Sequence, residues 1–239
     1  MIEMRPLEGI VVTRAAPYAR IPVALIVGAR GASSIAADFE RLLRAASRRV
    51  GALVAATSPR RIVREGLQLD RCSVAAIADT APPTDSEEFR RGIEVVLKAT
   101  SGFVVIDGAN AAAVAATRGV DRARVVLCAW RVNEAVRLHA AAGGPVVLRR
   151  SRGGNAMIEL RSAGIVLASV AVPSIGVTGD TGRRRRLRAL MFAVALAFGL
   201  GLSPEEIAAA AESRGAGILA AWAPESTAGR RQRASSGAT

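Results

Sequence analysis

Apolar positions along the chain show two alternating textures, short unbroken runs and runs spaced by three and four residues. Ile21 to Val27 (IPVALIV) is a continuous apolar run that stops at Gly28, the pattern of a strand buried on both faces. Gly28 to Gly31 reads as a turn. Ser33 or Ser34 is placed to cap a helix whose apolar positions Ile35, Phe39, Leu42, Leu43 and Ala46 share one face. Val50 to Ala56 reads as a second strand, so residues 21–56 predict strand, turn, helix, strand: one βαβ unit. Cys72 to Ile77 predicts another strand, and Pro82 with Pro83 marks a loop. Asp85, with Glu88 three residues on, starts a helix over 86–99 that turns Ile93, Val96 and Leu97 inward. Phe103 to Ile106 and Val125 to Ala129 predict further buried strands, with Ala-rich helical sequence between them.

After residue 140 the texture changes. Val146 to Arg149, Ala156 to Leu160 and Ile165 to Val172 are strand-like runs separated by glycine turns, which predicts hairpins. Two helices follow, near 184–199 and 204–213. The expected fold is α/β: a mostly parallel sheet flanked by helices, with a small β-hairpin section over about 144–176 and terminal helices over about 184–213. Residues 1–19 read as an N-terminal extension, 20–222 as one domain, and 223–239 as a disordered tail of Ser, Gly, Arg and Thr with little to bury.

Composition narrows the chemistry. The 239 residues are 51% hydrophobic and carry a net charge of +13, with Lys98 the one lysine among 33 basic residues. Any lysine-based catalysis would have to use residue 98, and that position falls on a helix face that reads as solvated. His139 is the one histidine, which excludes a multi-histidine metal site; with no acidic partner nearby it reads as a surface residue. Cys72 and Cys128 form no CxxC pair and sit in apolar strand runs, as small core residues in a reducing cytoplasm do. The N-terminus lacks the apolar core of a signal peptide. Ala189 to Leu202 is apolar behind a basic run, but its 14 residues fall short of the roughly 20 a spanning helix needs, so a buried helix and no membrane partner are expected.

Several segments carry a resemblance. Arg20-Ile21-Pro22-Val23 followed by VALIVGARGASS resembles a strand entering a phosphate loop. Arg64-Glu65-Gly66-Leu67 and Leu69-Asp70-Arg71-Cys72 match a REGLGFDRC stretch, and Phe103 to Asp107 stands where a strand enters an Asn-Ala-Asp-Asp turn. Val172-Pro173 and the Ala-rich helix 187–202 fit the end of the same domain. Together, over roughly residues 20–213, these resemble the central ATPase domain of the Mur ligase superfamily, and most closely the Mur-ligase-like part of cyanophycin synthetases. The ATP-grasp half and C-terminal domain of those synthetases are not expected in this chain, and about 45 residues between the second strand and the REGL segment have no counterpart here.

The resemblance implies a phosphate loop at Gly28, Arg30, Gly31, Ala32, Ser33 and Ser34, with ATP and magnesium as cofactors, Ser33 as the magnesium hydroxyl, and Asp107 and Asn110 at the following turn. In such loops backbone amides and a helix N-terminus hold the phosphates while a lysine neutralises them. Here the family's lysine falls on Ala32. The region after the third strand, Ala78-Asp79-Thr80-Ala81-Pro82-Pro83-Thr84, lacks the family's Asp-His pair. The resemblance therefore implies a degenerate, truncated domain that keeps the fold and loses the reaction, a binding or scaffold module with no catalytic residue and room for residual nucleotide binding. Its expected partners are a full-length ligase, an acidic or zwitterionic polymer, or a second copy. The alternatives are an active ATP-dependent carboxylate–amine ligase using Arg30, Ser33 and Asp79, and a polyanion or nucleic-acid binder using Arg183, Arg184, Arg185 and Arg186. The 3% aromatic content argues against nucleic acid, and an arginine-rich solvated surface remains the plain reading of that run.

Overall fold

The computed structural model describes residues 21–28, 31–46, 51–78, 87–152, 155–172 and 180–220. The expected extension 1–19, tail 223–239, Pro82-Pro83 loop and Asp85 cap lie outside the described residues. The chain builds β1 (Val23–Val27), α1 (Ala32–Ala45), β2 (Leu53–Thr57), α2 (Pro59–Glu65), β3 (Cys72–Ile77) and α3 (Glu87–Ala99). It continues with β4 (Thr100–Asp107), α4 (Ala111–Ala116), β5 (Val125–Ala129) and α5 (Glu134–Ala141). β6 (Val146–Arg152), β7 (Asn155–Ser162), β8 (Ile165–Val172), α6 (Asp180–Gly199) and α7 (Pro204–Ala220) complete it.

Among the described residues, the eight strands form one sheet in the order β2-β1-β3-β4-β5-β6-β7-β8. Neighbours from β2 through β6 are parallel, and β7 and β8 add on antiparallel. Alternation along each strand divides the core. Ala24, Ile26, Val74, Ala76, Val105 and Val126 face α1, α6 and α7, where Phe39 and Phe192 are fully buried. Leu25, Val27, Ala75 and Cys72 face Ile62 and Val96 on the opposite side, and Ile77, Val104, Ile106 and Leu127 face Phe89, Ile93 and Val136. This is the α/β sandwich expected of buried parallel strands.

The expected hairpin section is present: β6, β7 and β8 pair antiparallel in succession, and β6 joins them to the parallel strands by pairing with β5. Four expectations need correction. Neither Ser33 nor Ser34 caps α1: the cap residue is Gly31, at φ 87°, and both serines lie inside the first turn. The second strand starts at Leu53 rather than at residue 50, and α6 starts at Asp180, so Arg183 to Arg186 are helical. His139 is half-buried, its Nε2 2.8 Å from the Val125 carbonyl, with the Gly144 backbone pressed so close that a Cβ there would lie 2.2 Å from the ring. Two helices escaped the pattern, α2 capped by the Ser58 side chain ahead of Pro59 and α5 capped by Asn133.

Candidate functional site

Strand order reverses between β1 and β3, because α1 carries the chain outward to β2 on one face and α2 returns it past β1 on the other. In such sheets the crevice beyond the carboxyl ends of the strands at the reversal is where ligands bind. The register puts Val27, Ile77 and Ile106 side by side, so Gly28, Ala78 and Asp107 form the next row, the lip of that crevice. Gly28 and Asp107 stand two strands apart there, about 10 Å by strand spacing.

From β1 the chain turns into α1 through Gly31, whose positive φ a residue with a Cβ rarely adopts. Ala32 is buried against the core, Ser33 and Ser34 are exposed, and no side chain caps Gly31. Arg30 and Asp79 lie outside the described residues. Lys98 is exposed on α3, which packs on the face opposite α1.

Asp107 points to the α6 side, as Val105 does two residues earlier. Each oxygen of its carboxylate has a partner. Oδ1 accepts from the Ala109 N–H at 2.8 Å, and Oδ2 accepts from Arg188 Nε at 2.9 Å. The Arg188 Nη2 lies 2.9 Å from the same Oδ2 and also donates to the Ala78 carbonyl. One guanidinium thus spans the ends of β3 and β4, with its Cζ 5.5 Å from the centroid of the Phe192 ring one helical turn on. Asn110 turns away from the crevice in its own way: it is buried, and its Oδ1 caps α4 by accepting from the Ala113 N–H at 3.0 Å. Asn133 donates to the Gly108 carbonyl at 2.7 Å and fastens the Asp107 turn to the start of α5. Beside the pair, Cys128 is buried; desolvation, and then the Asp107 charge, push its thiol well above the ordinary range, so it is a core residue and not a nucleophile.

Four consecutive arginines wrap most of the way around a helix, and α6 divides them. Arg184 and Arg185 are exposed, while Arg183 and Arg186 are half-buried. Arg186 lies within electrostatic reach of Asp38 on α1, whose carboxyl is raised by burial and pulled back down by Arg41 and Arg186. Farther along the lip, the Arg149 guanidinium lies 4.5 Å over the Trp130 ring, and its buried Nε has no hydrogen-bond partner. The Arg188 contact was missed by sequence reasoning. Its signal was a charged residue between buried Leu187 and Ala189, on a helix otherwise lined with core positions, which requires a buried partner.

The fold and family implied by the resemblance bring ATP and magnesium to this crevice, and the described residues do not fit the metal. Ser33 offers one hydroxyl, the Asp107 carboxylate is paired with Arg188, and no group of three metal-ligating acidic, histidine or cysteine side chains occurs among the described residues. No helix among them is long and apolar enough to cross a membrane.

No family model matches the sequence, and no curated protein matches it. Solved structures do share its fold. A UDP-N-acetylmuramoylalanyl-D-glutamyl-2,6-diaminopimelate–D-alanyl-D-alanyl ligase from Acinetobacter baumannii is similar at 15% identity and TM-score 0.50, covering 81% of this chain and 46% of that one. A UDP-N-acetylmuramate:L-alanyl-gamma-D-glutamyl-meso-diaminopimelate ligase from Neisseria meningitides matches at 10% identity and TM-score 0.50, covering 82% and 65%. A pseudomurein peptide ligase type C from Methanothermus fervidus matches at 11% identity and TM-score 0.51, covering 81% and 49%. The fold is that of the Mur-type ligases. The chain spans between 46% and 65% of the length of these three structures.

Proposed function

We propose that this chain is a non-catalytic module on a Mur-ligase-type scaffold that binds or presents a partner instead of forming an amide bond. One observation carries the reading: the Arg188 guanidinium, bridging Asp107 and the Ala78 carbonyl, occupies the lip where a ligase would use carboxylates. Metal-assisted phosphoryl chemistry needs negative oxygens free to hold a cation and a lysine to neutralise the moving charge. Here the carboxylate is neutralised by an arginine, and the loop position that matches the lysine is the buried Ala32.

What the crevice offers instead is hydrogen-bond donors. The Asp107–Arg188 pair is neutral, and the first turn of α1, with no side-chain cap at Gly31, suits an anion that arrives without a metal. The net charge of +13 favours acidic partners, whether an acidic or zwitterionic polymer or the acidic face of a full-length ligase. The runs Arg183 to Arg186 extend that field to the outer end of α6.

The test is an ADP-release assay on the full chain with ATP, magnesium and a panel of carboxylate and amino-acid substrates. No substrate-dependent ADP is expected. Release that depends on an added amino acid and disappears in Ser33→Ala would establish the alternative, an ATP-dependent carboxylate–amine ligase.

A further inference from the structure

We propose that the groove between α5 and the β6-β7-β8 meander docks an extended acidic peptide, with one apolar side chain on its floor and a carboxylate at each end. The groove has a volume of about 180 Å³, enough to take an apolar side chain, and Val136 of α5 and Leu148 of β6 are buried in its floor. α5 packs on β5 and β6, while α6 and α7 cover β7 and β8 from the opposite face. The near face of the meander stays open beside α5. Val132, just ahead of that helix, is 51% exposed, and Val166, in one row with Val146 and Arg161, is 43% exposed. Apolar side chains exposed beside an apolar floor mark a binding surface.

Three arginines line the groove, Arg137, Arg150 and Arg161. Glu134 pairs with Arg137 at 2.5 Å, and Glu159 with Arg161 at 2.8 Å. Arg150 is the cation in excess: it is 44% exposed, and its 3.6 Å contact with Glu159 is beyond hydrogen-bond length. Surface ion pairs contribute little, so an incoming carboxylate can share Arg161 at small cost.

Spacing selects the occupant. Arg161 pairs with Val146, so its row lies four residues from Arg150, about 13 Å along the strand at the usual rise. An extended peptide has the same rise and puts alternate side chains on one face. Acidic residues four positions apart therefore meet the two arginines, and the residue midway points at the Leu148 row. A small carboxylic acid reaches only one end. The net charge of +13 draws acidic partners and repels a second copy. The groove lies on the sheet face opposite Asp107 and Arg188, apart from the crevice.

Fluorescence anisotropy of a labelled Asp-Ala-Leu-Ala-Asp peptide, titrated with the full chain from micromolar to millimolar, tests this. The peptide is expected to bind, and its counterpart with serine in place of the leucine about tenfold more weakly or worse. Arg150→Glu and Val132→Asp should each weaken binding about tenfold or more. Lys98→Glu, on exposed α3, changes the net charge as much as Arg150→Glu does and should leave binding unchanged. An unaltered urea midpoint shows that each variant is folded, and the two peptides carry the test on the wild-type chain in any case. No binding at millimolar concentration, equal binding of the two peptides, or an equal loss in Lys98→Glu overturns the proposal. ADP release by the crevice would overturn the non-catalytic reading and leave this groove untouched.

Discussion

Asp107 at the end of β4 and Arg188 on α6, 81 residues apart in sequence, form a 2.9 Å ion pair whose arginine also ties down the end of β3. The Asp107 side chain is only 10% exposed and that of Arg188 29%, so the carboxylate depends on this cation and on the Ala109 amide for its solvation. The contact fixes three things at once: the seat of α6 on the sheet, the Asp107 turn, and the electrostatic character of the crevice.

Removing the arginine alone should therefore be costly. Arg188→Ala leaves a buried carboxylate with one amide partner and is expected to destabilise the fold by about 2–3 kcal/mol, less than a fully enclosed pair because the guanidinium is partly solvated. Asp107→Asn keeps a neutral acceptor and should cost about 1 kcal/mol. Urea unfolding of both single variants and the double variant measures the coupling. Equal small losses would mean that the pair contributes nothing to the seat of α6.

The fold should lose stability as pH falls below the usual histidine range. Burial pushes His139 below its ordinary 6.5, against the opposing effect of its carbonyl contacts with Val125 and Pro145. The folded state then binds the proton less readily than the unfolded chain. Stability is fully present above pH 6.5 and declines as pH drops toward the folded value. The urea midpoint of the wild type should fall more than that of His139→Gln between neutral and mildly acidic pH. Parallel curves would remove His139 from the account.

The β7–β8 turn carries a strain that one substitution should relieve. Ser162 and Ile165 pair across a two-residue turn with Ala163 at φ 49° and Gly164 at φ 80°. Two positive φ values are the primed turn that suits hairpin twist, and alanine is poorly suited to the first position. Ala163→Asn is expected to stabilise the chain by about 0.5–1 kcal/mol, read as a higher thermal midpoint. A lower midpoint would show that Ala163 makes a contact worth more than the strain.

Much of the scaffold was legible because parallel strands are buried on both faces and leave unbroken apolar runs: Cys72–Ile77 and Val125–Ala129 stand where the runs placed them. α2 and α5 were missed because at seven and eight residues they are too short for a helical period to register, although Ser58-Pro59 and Asn133 are capping signals. The strand character of residues 146–172 was readable, but its union with the main sheet depends on β6 lying beside β5, a long-range choice that local pattern does not encode. At the crevice the sequence marked Asp107 and Asn110 and the loop before α1. It could not show that Asp107 is spoken for, because its partner comes from a helix read only as a basic flank and an apolar stretch.

The most direct test of the central claim is calorimetric titration of the full chain with ATP, in magnesium and in a chelator. An arginine-neutralised crevice predicts that ATP binding is tighter in the chelator than in magnesium, which halves the nucleotide's charge, weakens as salt is added, and falls in Arg188→Ala, where Asp107 is left unneutralised. Micromolar ATP binding that requires magnesium and is lost in Ser33→Ala would contradict the account and show a working phosphate site.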